Sequence, residues 1–245
     1  MSDYRTRIYE RYATTFKGRT ETFDREEASG WGRAYHHYLR DWLPAAKDAR
    51  ITDLACGHGN LLFFLSSLGY TELAGVDISP DQVRLARQVA RDVEEGNLLD
   101  YLGRHAGEFD LVCGLDIIEH MAKDEVLEFL DGCFSALAPG GRLILQTPNA
   151  VSPFGNIVRY GDFTHEVCFE ERVLGQLLEL VGFDSPESRE MGPVPWGYSL
   201  LSSVRFCLWR ATRFGLRAIN TIETGGPGPK VWTRVFLTSA VKPAS

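Results

Sequence analysis

Two groups of side chains in this sequence are placed to do chemistry. The first is built on a glycine turn: Asp53-Leu-Ala-Cys-Gly57-His-Gly59 continues a short apolar run from Ile51, and Asp77 closes the next one, Leu73–Asp77. Glycines after a strand let backbone N–H groups approach a ligand that a Cβ would keep away, and an acid closing the second strand can accept from a pair of ribose hydroxyls. A dinucleotide site of the G-x-G-x-x-G kind wants a third glycine where Leu62 stands, and a carboxylate at Asp53 repels a pyrophosphate. The spacing therefore points to a nucleotide-like ligand that carries positive charge.

The second group gathers later in the chain. Asp116 follows the apolar run Phe109–Leu115, with Glu119-His120 opening the next loop, and Asp162-Phe-Thr-His165-Glu166 ends a long segment after Thr147-Pro148-Asn149. Imidazole changes charge near physiological pH and can take a hydroxyl proton, so His165 is the expected general base and His120 its neighbour in the site. Helix capping is the competing role for the 162–165 stretch. Asp116, Glu119, His120, His165 and Glu166 are also candidate ligands for a divalent cation, although mixed carboxylate–histidine clusters are more often hydrogen-bonded networks.

Such residues need strand ends and loops to hold them. From Ile51 onward the pattern alternates: strand 51–55, helix after Gly59, strand 73–77, helix from Ser79-Pro80-Asp81, a weak strand near Val93, strand 109–115, helix 123–137, strand 142–147, helix 169–181 and a poorly marked strand after Phe183. Ser79 and Pro80 are a helix-start signal, and Ala138-Pro-Gly-Gly141 is a stop. Alternation of this kind predicts an α/β fold, a Rossmann-like seven-stranded mostly parallel sheet with helices on both faces. Loops at its carboxyl edge are where open α/β sheets bind ligands.

The expected organisation is one domain: a helical cap over 1–49, a cofactor-binding core over 50–191, a helical insertion over 192–230, and a last strand with its tail over 231–245. The cap carries aromatics at helical spacing, Tyr4, Tyr9, Tyr12 and Phe16, then Trp31, Tyr35, Tyr38 and Trp42. In the insertion no acid occurs from Ser199 to Asn220. Arg210, Arg213 and Arg217 share one side, with Leu208, Ala211, Gly215, Ala218 and Ile219 roughly opposite. The arginines are expected to be the solvated side of a helix packed on the core, with little affinity for lipid.

With 245 residues, 44% of them hydrophobic, the chain can bury one sizeable core. A net charge of −7 argues against a nucleic-acid binder. The five cysteines, at 56, 113, 133, 168 and 207, form no C-x-x-C pair and read as reduced packing residues. No apolar run has the length of a signal peptide or a membrane span, so a cytoplasmic location is expected.

Asp53-Leu-Ala-Cys-Gly57-His-Gly59 with Asp77 resembles the first two motifs of class I S-adenosylmethionine-dependent methyltransferases. The resemblance covers about 51–191 and implies S-adenosylmethionine as cofactor. It assigns the glycine turn to the donor's amino-acid and ribose portion, Asp77 to the ribose hydroxyls and Ile78 to the adenine face. Ala55 replaces the family's first glycine. Asn97, followed by Leu98, stands where related enzymes place an acid for the adenine amino group, and Asp100 is the second candidate. Leu115, Asp116, Glu119 and His120 resemble the fourth motif, with a Glu-His pair typical of an O-methyltransferase branch that includes the ubiquinone-biosynthesis enzymes.

The Asp162–His165 segment and the basic insertion before Glu223-Thr-Gly-Gly are similar to sugar-modifying methyltransferases, which makes a saccharide or glycan hydroxyl the leading expected acceptor. Three rivals stand beside it: methylation of a phenolic or quinone lipid precursor at a membrane surface, a cofactor-binding protein without transfer, and RNA methylation. The last is disfavoured by the acidic chain and by the lack of an Asn-Pro-Pro-Tyr-like sequence after the fourth strand.

Overall fold

The computed structural model describes Ile8, residues 21–195 and residues 198–244. Tyr4, Tyr9, Tyr12 and Phe16 of the expected cap lie outside these.

Seven strands form one sheet. β1 (Ile51–Leu54) pairs in parallel with β2 (Leu73–Asp77) on one side and β4 (Phe109–Leu115) on the other. β3 (Asp92–Glu95) continues in parallel from β2, and β5 (Leu137–Pro148) from β4. β7 (Val235–Val241) runs antiparallel between β5 and β6 (Asp184–Glu190), giving the order β3-β2-β1-β4-β5-β7-β6. Every side chain of β1 is buried, as a strand covered on both faces requires.

The strands' two-residue period divides the core. Val112, Leu143 and Leu145 pack with Phe129, Leu130 and Leu174 on one face. Leu111, Cys113 and Ile144 pack with Tyr35, Trp42 and Leu65 on the other. Apart from Trp42, in a turn, the partners come from helices α1 (Arg25–Tyr38), α2 (Asn60–Ser67), α5 (Lys123–Ala136) and α7 (Glu171–Val181). α3 (Pro80–Ala86), α4 (Leu98–Arg104), the short α6 (Asn156–Arg159) and α8 (Leu200–Thr224) complete the set. Among the described residues, no helix is long and apolar enough to cross a membrane.

Between β1 and β4 the chain order reverses, and there the strands' carboxyl ends open a crevice. Local conformation sharpens its rim. Ala55 at the end of β1 has φ +54° and Asp116 just past β4 also has φ +54°, a region that costs a residue with a Cβ free energy. Gly59 caps α2 with φ +96°, and a Cβ there would lie 3.1 Å from the Ala86 backbone. Its role is to let α2 start against α3.

Three expectations change. The Ala138–Gly141 stop ends α5 at Ala136, but the segment joins β5 because Gly140 N–H donates to the Lys242 carbonyl and Lys242 N–H to that of Gly141. The last strand starts at Val235 rather than 231, since Asn149 Nδ2 donates to the carbonyls of Val231 and Thr233 at 3.1 and 2.9 Å and holds that stretch off the ladder. The insertion helix keeps Arg210 and Arg217 exposed, as expected, but turns Arg213 inward and the side expected to pack on the core outward. Arg213 and Trp209 face the body and both donate to Glu190 Oε2, at 2.7 and 3.2 Å, while the apolar side faces outward.

The two left-handed glycines at the ends of α2 separate strain from crowding. Gly69 has φ +89° with nothing within 4 Å of where a Cβ would stand, so Gly69→Ala should cost about 1–2 kcal/mol for its backbone alone. Gly59→Ala adds a clash and should cost about 2–4 kcal/mol. Urea unfolding of the two variants checks the order, and equal losses would contradict the packing role of Gly59.

Candidate active site

A cavity of about 670 Å³ occupies the crevice, within the range of small-molecule sites. Asp53, Asp77, Asp116, Glu119, Glu125 and Asp162 line it, and no lysine or arginine among the described residues does. So many acids in a partly dry space raise one another's proton affinity. Burial pushes the Asp53 carboxyl well up, and Asp77 adds to it. Glu119, 1% exposed, is raised chiefly by burial and then by Asp116. A cation relieves this crowding.

The glycine turn is tied to the second strand. Asp77 Oδ2 accepts Gly57 N–H at 2.8 Å and its Oδ1 accepts Ser79 N–H at 2.9 Å, so one carboxylate sets both turns that face the cavity. Ala55, Gly57, Ile78, Asn97, Leu98 and Leu115 join Asp53 and Asp77 in the lining. Gln82 carries no signal in the sequence motifs: its Oε1 is buried and has no hydrogen-bond partner among the described residues. It lies 3.9 Å from where a Gly57 Cβ would be. An orphan acceptor beside a Cβ-free turn fits a ligand rich in hydroxyl and amino donors, as an adenosine-bearing cation is.

Other assignments move. Gly59 and Asp100 are absent from the lining. Asn97 lines the cavity, but its Oδ1 accepts the N–H groups of Leu99 and Asp100 at 2.8 and 3.4 Å, so its side-chain carbonyl caps α4.

The acceptor end is assembled by backbone. The Glu119 carbonyl accepts Glu166 N–H at 2.8 Å and Val167 N–H at 3.2 Å, clamping the 162–167 loop to the short 3₁₀ turn Ile118–His120. The clamp brings the rings of His120 and His165 to 4.7 Å between centroids, edge to face. Both line the cavity.

Their hydrogen bonds define the tautomers. Asp162 Oδ1 can only accept, so the Thr164 hydroxyl at 2.6 Å donates to it and must accept from His120 Nδ1 at 2.8 Å. His165 Nδ1 donates to the Arg159 carbonyl at 3.2 Å. In each neutral ring the basic nitrogen is then Nε2.

Behind them, Tyr35 donates to Gln146 Oε1 at 2.6 Å, and Gln146 Nε2 donates to Asp116 Oδ2 at 2.7 Å. Burial and Asp116 keep the Tyr35 phenol strongly protonated and therefore a donor. Trp31 stacks on Tyr35 at 3.7 Å and forms one wall.

Glu119, His120 and His165 each offer a ligand atom, all within 4.8 Å of one another, a group that could hold a divalent cation. These are three of the five residues expected as candidates. Asp116 is not in that group, being tied to Gln146, and Glu166 is an exposed residue outside it.

The sequence profile of a methyltransferase domain family matches residues 23–187. The ubiquinone biosynthesis O-methyltransferase of Xanthomonas axonopodis pv. citri is 32% identical over 109 residues, 41% of this chain and 44% of that protein. The enzyme of the same name from a Caulobacter species is 36% identical over 108 residues, 41% of each. The chain thus spans less than half the length of these curated relatives. Among solved structures, a SAM-dependent methyltransferase from Archaeoglobus fulgidus superposes with TM-score 0.64 at 21% identity, covering 96% of this chain and 99% of that one. Human N-acetylserotonin methyltransferase in complex with SAM gives TM-score 0.61 at 14% identity, over 99% and 59%. These likenesses establish the shared fold. Matched over more than half its length, the chain belongs to the methyltransferase domain family, within the class I S-adenosylmethionine-dependent methyltransferases.

Proposed function

We propose that the chain transfers a methyl group from S-adenosylmethionine to a hydroxyl oxygen of a phenolic small molecule, such as a quinone precursor. The observation that carries the reading is the His120–His165 pair, with Nε2 the basic nitrogen of each ring, standing against apolar walls. The cofactor supplies a methyl group on a positively charged sulfur. The residues around it hold and orient: Asp77 and the Gly57 turn grip the ribose end, Gln82 accepts a donor group, Ile78 and Leu98 cover the adenine, and the surrounding carboxylates favour the positive charge. His165, or His120 beside it, takes the acceptor's proton at Nε2.

Acid–base matching favours a phenol over the saccharide expected from the sequence. A phenol titrates near 10, about 3.5 units above an ordinary imidazole, whereas an aliphatic hydroxyl, like water, holds its proton far more tightly. Trp31, Leu115, Ile117, Met121, Val158 and Val235 line the cavity, and such walls suit an aromatic ring better than a hydroxyl-studded sugar. The activity for which the Xanthomonas and Caulobacter relatives are named points the same way. The Asp162-Phe-Thr-His165 stretch, which by itself suggests a sugar, is accounted for by the relay to His120.

A second reading has its own observation, the three ligand atoms of Glu119, His120 and His165. A divalent cation there would lower the hydroxyl's pKa in place of a free imidazole.

Removing Asp77 should weaken the donor's binding by roughly 1.5–3 kcal/mol, the usual loss for charge-assisted hydrogen bonds. Calorimetry on Asp77→Ala checks this, and unaltered affinity, or tight NAD binding by the parent, would contradict the cofactor assignment. With a catechol acceptor, His165→Ala should lower kcat about 10²–10⁴-fold at unchanged donor affinity, and chelator should leave the parent's rate intact. Chelator inhibition reversed by a divalent ion favours the metal reading instead. Full turnover by His165→Ala returns that residue to a structural role.

Proton linkage offers a test without turnover. The raised Glu119 pKa means the folded chain holds its proton more tightly than the unfolded chain, where Glu titrates near 4.3. That contribution is full below about pH 4 and is lost as pH rises toward the folded value. Glu119→Gln lacks the dependence, so between about pH 5 and about pH 8 it should lose less stability in urea titrations than the parent. Equal pH slopes would show that Glu119 is not held protonated.

A further inference from the structure

α8 is the longest described helix, 25 residues, and none of them is buried. At 100° per residue its side chains sort into two sides. Ser202, Phe206, Trp209, Arg213, Leu216 and Asn220 are half-buried and face the body. Arg213 and Trp209 bond Glu190, Asn220 Nδ2 donates to the Gly226 carbonyl at 3.1 Å, and Ser202 donates to the Val194 carbonyl at 2.7 Å.

The outward side is continuous and apolar. Leu200, Val204, Leu208, Phe214, Ile219 and Ile222 fall in a stripe roughly 140° wide that runs the full length of the helix, with only small residues and Cys207 between them. Leu200, Phe214 and Ile222 are 83%, 77% and 86% exposed. Large apolar side chains held outward along the whole helix, while the polar side is spent on internal bonds, mark a surface that something covers.

Charge selects what covers it. Arg205 borders the stripe on one side, and Arg210 and Arg217 border it on the other; all three are exposed. No acid interrupts the helix before Glu223, in a chain whose net charge is −7. Two copies packed stripe to stripe would set six border arginines near one another with only the two Glu223 carboxylates to pair them. An apolar stripe bordered by arginines is the arrangement of a helix lying in the plane of a bilayer, its apolar side among the acyl chains and its guanidinium groups at lipid phosphates.

We propose that α8 docks the protein on an anionic bilayer surface, seated by Leu208, Phe214 and Ile219 and steered by Arg205, Arg210 and Arg217. The inference stands on the helix's own surface and is independent of the acceptor assignment. It replaces the expectation that the arginines are merely a solvated side.

Vesicle flotation with the full chain tests it. Phosphatidylcholine vesicles containing phosphatidylglycerol should bind about tenfold more protein than phosphatidylcholine alone, and raising salt from about 0.1 to about 0.5 M should release it. Leu208→Asp with Phe214→Asp, and separately Arg205→Ser with Arg210→Ser and Arg217→Ser, should each cut binding about tenfold or more. Unchanged circular dichroism and S-adenosylmethionine affinity show that the variants remain folded. Arg213 is left in place because it anchors the helix. A parent that floats with neither vesicle, or binding indifferent to both variants, overturns the proposal. So does a dimer in sedimentation velocity that the aspartates dissociate while the parent ignores vesicles, which would assign the stripe to a second copy.

Discussion

Six carboxylates lining one cavity without a lysine or arginine among the described residues is the constraint from which the rest follows. Two of the six, Asp53 and Glu119, are buried, which is tolerable only if they hold protons or a cation joins them. Both Asp53 and Glu119 are raised by burial, and a neighbouring carboxylate adds to each. The same electrostatics reject a pyrophosphate and welcome a sulfonium and an ammonium. A Rossmann-like sheet does not choose between nucleotide cofactors by its topology, since the crevice at the switch point serves many ligands. The charge of its rim makes the choice.

Where the acids set the ligand's charge, backbone sets the geometry. Asp77 holds two turns through their N–H groups, and the Glu119 carbonyl holds two more N–H groups from the 162–167 loop. The acceptor end therefore depends on main chain from two loops far apart in sequence, and on the Thr147 hydroxyl that donates to Glu119 Oε2 at 3.1 Å. Left-handed Ala55 and Asp116 sit on the same rim, so strain is concentrated where strands end and ligands bind.

The parts of this design written locally are legible in the sequence. The Asp53–Gly59 turn, Asp77, and the Asp116–His120 segment each lie within a few residues of a strand end, and alternating patterns locate those ends. Gln82 and Trp31 escape such a reading because each reaches the cavity from a helix whose docking is a tertiary event. Asn97 reads as a ligand for adenine, yet an Asn just before a helix also has capping work, which here occupies its side-chain oxygen. Gly59 belongs to the motif but serves helix packing. The insertion helix shows a deeper limit: periodicity divides a helix into sides without saying which is inside. Phe206, Trp209 and Leu216 make a side apolar enough to pack, and one acid at the edge of the sheet, Glu190, draws Arg213 in with it while Arg210 and Arg217 stay exposed.

A cation-binding cavity beside a proton-accepting imidazole pair amounts to a claim about one transfer, and isotopic labelling addresses it directly. Supplied with S-adenosylmethionine bearing a deuterated methyl group and an equimolar mixture of catechol-type and saccharide acceptors, the protein should place the label on a phenolic oxygen, read by mass spectrometry. Label on the sugar, on nitrogen, or on neither acceptor would contradict the account.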